Sequence, residues 1–97
     1  MAARFKTRSY TFINTNAISL QSILNYPQDN YISSVAVRAG KTNVGIVYWR
    51  DGLTGDDGGH LSTDEAITID VAGKFIPTGD LWFRGAQDDK IELTVLG

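Results

Sequence analysis

Apolar residues recur at every second position over much of this chain. Val35, Val37 and Ala39 alternate with Ser34, Ala36 and Arg38; Ile67, Ile69 and Val71 alternate with Thr68 and Asp70; Ile91, Leu93 and Val95 alternate with Glu92 and Thr94. A period of two sends successive side chains to opposite faces of an extended backbone, so each run predicts a strand with one buried face. Ser9 to Asn14 predicts a first strand, and Asp80 to Gly85 another, with Leu81 and Phe83 inward and Trp82 and Arg84 outward. Asn43 to Arg50 predicts one more, although it is apolar on both parities: Val44, Ile46 and Tyr48 on one, Val47 and Trp49 on the other.

Turn formers separate these runs: Pro27 to Asn30, Ala39 to Thr42, Asp51 to Gly59, Ala72 to Lys74, Pro77 to Gly79, and Gln87 to Asp89. Turns at intervals of roughly 8 to 12 residues predict an all-β chain, a small antiparallel β-sandwich that is jelly-roll-like or barrel-like. Asn16 to Leu24 fits two forms. Thr15 or Asn16 can cap a short amphipathic helix with Ala17, Leu20 and Leu24 on one face and Pro27 closing it, while Ile18 and Leu20 also suit a strand. The unbranched, leucine-rich content favours a helical turn or two.

Length and composition narrow the picture. Ninety-seven residues make one domain, and 42% hydrophobic with 21% charged residues is the balance of a folded globule. No apolar run approaches the roughly 20 residues that span a bilayer, so no membrane partner is expected. Cysteine is absent, which excludes disulfides, thiolate metal sites and cysteine nucleophiles. Behind the basic Met1 to Ser9 comes alternation rather than an apolar stretch, so no cleaved leader is expected and synthesis is cytoplasmic.

The net charge of -2 conceals a division. Arg4, Lys6 and Arg8 make the first eight residues basic, and no acidic residue appears before Asp29; beyond position 8, six basic residues face eleven acidic ones. The sequence therefore predicts a basic N-terminal arm at residues 1–8 and an acidic β-sandwich domain at residues 9–97. Such an arm is either a solvated tail or a dock for an acidic partner surface.

Catalytic chemistry is nearly missing. His60 is the only histidine, and no nucleophile elbow accompanies it. The loop from Asp51 to His60 gathers Asp51, Asp56 and Asp57 among four glycines, but Leu53 and Gly55 stand where an EF-hand requires ligands. Neither enzyme activity nor a cofactor is expected, and Asp51, Asp56, Asp57 and His60 read as a long hairpin connection that makes contacts. Tyr48-Trp49-Arg50 and Trp82-Phe83-Arg84 each bury one aromatic ring and offer a tryptophan outward. Three coverings suit an outward tryptophan: nucleic-acid bases, a sugar ring, or protein. An acidic body lacks the basic groove that nucleic acid needs, so no nucleic-acid partner is expected. A sugar ring remains chemically reasonable. Protein is the ordinary covering, because interface cores are rich in aromatic rings, and it makes Trp49, Arg50, Trp82 and Arg84 candidates for a subunit interface.

The order of segments carries a resemblance. Phe12-Ile13-Asn14-Thr15-Asn16, then Ser19 to Leu24, Tyr31 to Arg38 and Asn43 to Trp49, followed by Gly58 to Ile69, Asp80 to Gly85 and Lys90 to Leu96, is similar to the small structural proteins encoded in tailed-bacteriophage virion clusters. Where that family often has Pro-Gly-Glu, this chain has Thr63-Asp64-Glu65. The resemblance implies a non-enzymatic β-sandwich located in the virion, binding the capsid exterior as a decoration or cement protein, commonly as a homotrimer. Tail, fibre and head-to-tail connector roles lie close by, and a carbohydrate-binding module is the alternative from another class. The implied partners are the major capsid protein or another virion protein and further copies of the chain, with Arg4, Phe5, Lys6 and Arg8 as the arm that reaches the capsid.

Overall fold

A computed structural model describes residues 5–26, 28, 30–51, 57–70 and 74–96. In chain order the elements are β1 (Phe5–Thr11), β2 (Ile18–Ser19), α1 (Leu20–Ile23), β3 (Tyr31–Ile32), β4 (Ser34–Ala39), β5 (Val47–Asp51), β6 (Asp57–Leu61), β7 (Ala66–Asp70), β8 (Ile76–Pro77), β9 (Leu81–Arg84) and β10 (Lys90–Leu96). One four-stranded sheet has the order β1-β10-β4-β7 and a second has β2-β9-β5-β6, with β3 and β8 as a small separate pair. Every pairing is antiparallel. Among the described residues the chain crosses repeatedly from one sheet to the other, and only the consecutive long strands β5 and β6 are neighbours within a sheet. This is the eight-stranded, two-sheet jelly roll, one of the two architectures that the turn spacing predicts.

Alternation explains why the sheets close on each other. Val35, Val37 and Ala39 of β4 and Ile91, Leu93 and Val95 of β10 are buried, while their odd-numbered or even-numbered neighbours on the strand face outward. Phe83, Leu81, Val47 and Leu61 answer from the second sheet, and Phe12, Leu20, Leu24 and Ile32 fill the space between layers. Each such side chain stabilises the fold by about 1.5–3 kcal/mol relative to its exposed state. Gly85 has a packing reason of its own, since a Cβ there would lie 2.7 Å from Cε2 of the Phe12 ring.

Several boundaries depart from the sequence expectation. β1 begins at Phe5 rather than Ser9, so Phe5 to Arg8 of the expected arm lie in the first sheet, paired with Leu96 to Leu93. The cause is a row of inward positions, Lys6, Arg8, Tyr10 and Phe12, that runs through the basic stretch and continues the strand. Lys6 directs its charge to the fold itself: Nζ donates to the Leu24 carbonyl (3.2 Å) and lies 4.6 Å over the Tyr26 ring. Residues 1–4, with Arg4, lie outside the described residues. Asn16 to Leu24 divides between its two forms: Ile18 and Ser19 are strand, and Leu20–Ile23 is a single helical turn. Ser19 caps that turn, its Oγ accepting from the Ser22 N–H (3.1 Å). The strand expected from Asn43 starts only at Val47, and Val44 and Ile46 are exposed. Asp57 to His60, expected to belong to the hairpin connection, lie in the edge strand β6.

Four loops meet at one end of the sandwich, and polar groups tie them together. Phe12 and the β9–β10 turn exchange backbone bonds: the Phe12 N–H donates to the Asp89 carbonyl (2.9 Å) and the Asp88 N–H to the Phe12 carbonyl (2.8 Å). The Asp89 carboxylate, 3% exposed, accepts from the Val44 N–H (2.9 Å) and the Gly45 N–H (2.8 Å). Buried Asn43 brackets Lys90, donating from Nδ2 to its carbonyl (2.8 Å) and accepting from its N–H (2.7 Å), and the Thr63 hydroxyl donates to the Asn43 carbonyl (2.8 Å). Beyond them, Glu65 accepts from the Ser62 N–H (2.7 Å), a bond that holds its carboxyl below the usual range. Asp89→Ala would leave two backbone donors without their charged acceptor and lower stability by about 2 kcal/mol. Thermal denaturation is expected to show a melting temperature lower by about 8–16 °C.

Candidate functional site

The residues singled out as interface candidates separate onto two faces of the second sheet. Val47 and Leu61 point into the core, and Leu81 and Phe83 do the same from β9. Strand alternation therefore sends Tyr48 and Arg50 of β5, Trp82 and Arg84 of β9, and His60 of β6 to the outer face. The register joins them in rows. Tyr48 stands between His60 and Arg84, and Arg50 stands between Trp82 and the backbone of Asp57. The Arg84 guanidinium lies 4.1 Å over the Tyr48 ring, and the His60 ring is 6.4 Å from Tyr48 at an interplanar angle of 52°. A cation over an aromatic face contributes about 0.5–1 kcal/mol at an exposed site. The Trp82 Nε1–H donates to the Gly79 carbonyl (2.8 Å), which fixes the indole along the strand. A strip of half-buried aromatic and cationic side chains, with His60 exposed at its margin, thus sits on a body that is acidic as a whole.

Trp49 corrects the expectation. It packs against the core, and Tyr48 takes the outward place assigned to it. The backbone of β6 makes this possible: Trp49 stands opposite Gly59, a bulge follows between Trp49 and Arg50, and a Cβ on Gly59 would lie 2.5 Å from Cζ2 of the indole. Glycine in β6 therefore serves the ring as much as the hairpin. The Trp49 Nε1–H is buried without a hydrogen-bond partner among the described residues. Beside it, an open hollow of about 180 Å³ is lined by Trp49, Arg50, Ile76, Asp80 and Leu81. Its size is below the roughly 300–1,000 Å³ of small-molecule pockets.

The loop candidates divide likewise. Asp51 ends β5, Asp57 begins β6, and Asp56 lies outside the described residues. His60 joins the aromatic strip rather than the loop. Among the described residues no group of three or more His, Cys, Asp or Glu side chains is placed to hold a metal ion, and no helix is long and apolar enough to cross a membrane. Tyr48 and the pairing role of β6 were missed from sequence; the signal for both was Gly58-Gly59, which clears space for an indole on the facing strand.

No protein-family model and no curated protein sequence matches the chain. Among solved structures, the fold is similar to the coat protein of Tobacco streak virus, with a TM-score of 0.54 and 12% sequence identity over 96% of this chain and 83% of that one. At that identity the likeness is one of fold.

Gly59→Ala is expected to force the Trp49 indole off its seat and cost about 1–3 kcal/mol. In a Trp82→Phe background, where Trp49 is the only tryptophan, its fluorescence should shift to the red; unchanged emission would contradict this packing.

Proposed function

We propose that this protein is a non-enzymatic structural component of a virion, a jelly roll that binds the outside of a capsid shell as a decoration or cement protein. The observation that carries the reading is the overlap in fold of nearly the whole chain with a viral coat protein. Its partners are then the major capsid protein or another virion protein, and copies of itself. Binding at many symmetry-related positions makes weak individual contacts sufficient, because each attached copy raises the effective concentration of the next contact.

The surfaces have a division of labour in this reading. The strip of Tyr48, Trp82, Arg84, Arg50 and His60 packs copies of the body together as a trimer, its rings supplying area and its cations supplying orientation. Residues 1–4 and the adjoining start of β1 meet the shell. The expected arm is accordingly shortened, because Phe5 to Arg8 also hold the first sheet.

Two variants test the assignment. Removing residues 1–4 should weaken binding to preassembled shells while leaving the melting temperature unchanged. Arg84→Glu should break the oligomer, seen as a lower sedimenting mass, with a stability loss of no more than about 1 kcal/mol from the Tyr48 contact. Spontaneous closure of the purified protein into shells would replace decoration with shell building. A protein that ignores shells, while glycans quench its Trp82 fluorescence, would replace both with sugar binding; Trp82 is the tryptophan on the outer face.

A further inference from the structure

We infer that β7 is a self-association edge, which pairs antiparallel with β7 of a second copy about a two-fold axis centred on Thr68. The two four-stranded sheets end in four edge strands, β1, β7, β2 and β6. An open edge invites pairing with other chains unless it is short, bulged or guarded by charge on its inward row. β2 has two residues, β6 carries the bulge beside Gly59, and β1 carries Lys6 and Arg8 on its inward row. β7 has none of these devices. It reads Ala66-Ile67-Thr68-Ile69-Asp70, without Lys, Pro or Gly, and its single charge is at the last position. Ile67 and Ile69 pack against the core yet remain only half-buried, which leaves apolar area at the margin for a further strand to cover.

The register selects a second copy as the occupant. With Thr68 opposite Thr68 of the other copy, Ile67 meets Ile69 and Ala66 meets Asp70, so two β-branched pairs and a threonine pair form and no like charges are opposed. A shift of one residue would set inward positions against outward ones. The favoured pairing extends the first sheet into one continuous eight-stranded sheet across two molecules. Its outer row, running through Thr7, Thr94, Ala36 and Thr68, consists of small side chains. This contact is separate from the aromatic strip, which lies on the other sheet.

The absence of cysteine from the natural chain makes the test direct. Thr68 is exposed on the outer face, so Thr68→Cys should fold normally and, on oxidation at high concentration, give a disulfide-linked dimer as the main product. Thr94→Cys, on the same face but on the interior strand β10, should give no disulfide-linked dimer. Thr68→Lys and Thr68→Glu should each weaken self-association about tenfold, and mixing the two should restore a heterodimer. Equal cross-linking at 68 and 94, cross-linking of position 68 to a different virion protein but never to itself, or a Lys and Glu mixture that associates no better than either variant alone would overturn the inference. Each of these outcomes leaves shell binding to be judged separately, through the truncation of residues 1–4.

Discussion

The fold depends on a short polar chain that runs across one end of the sandwich. A jelly roll buries its core between two sheets, but its strands alternate between those sheets through loops, and the loops alone cannot hold the layers in register. Here Asp89 and Asn43 do so. One carboxylate gathers two N–H groups of the β4–β5 loop, one amide brackets both backbone groups of Lys90, and the Phe12 backbone joins the same turn from β1. Buried polar groups of this kind stabilise only when all their partners are present, so the four loops form as a set. That requirement positions β10 beside both β1 and β4, and hence orders the whole first sheet.

The same tie explains an exposed feature at that end. Val44 is 88% exposed and Ile13 73%, apolar residues raised on loops whose backbones are fixed beneath them. A mobile loop would fold such side chains back onto the surface. The N–H groups of Val44 and Gly45 are committed to Asp89, and the Phe12 backbone beside Ile13 is bonded to Asp88 and Asp89. Single exposed apolar residues are common on folded surfaces.

How much of this was legible in the sequence differs by strand. β4, β7 and β10 were readable because each has one apolar parity, and a one-residue slip would bury Arg38, Asp70 or Glu92. β5 was ambiguous because both parities are apolar. What decided it lies on another strand, where Gly58 and Gly59 admit the Trp49 ring; pairing, rather than local pattern, chose the inward face. The basic start misled for a related reason. Lys6 and Arg8 read as a charged arm, yet long cationic side chains can lie over the inward row while the charge finds a carbonyl or an aromatic face, as Lys6 does with Leu24 and Tyr26. The outward placement of Trp82 and Arg84 was legible, since Leu81 and Phe83 left no other choice.

These points bear on why the edges differ. Lys6 on β1 serves two ends: it braces α1 against the first sheet, and its place on the inward row discourages another strand from pairing there. The second sheet is protected by brevity at β2 and by the Trp49-driven bulge at β6, so the indole that completes the core also spoils an edge. At β1 and β6 the feature that guards the edge also serves packing. β7 lies farthest from those needs, beyond β4, where Ile67 and Ile69 meet the core only in part. A sheet that must leave one edge unguarded leaves the one whose sequence is nearly symmetric about its own centre, and that symmetry favours another copy of the same strand over a stranger.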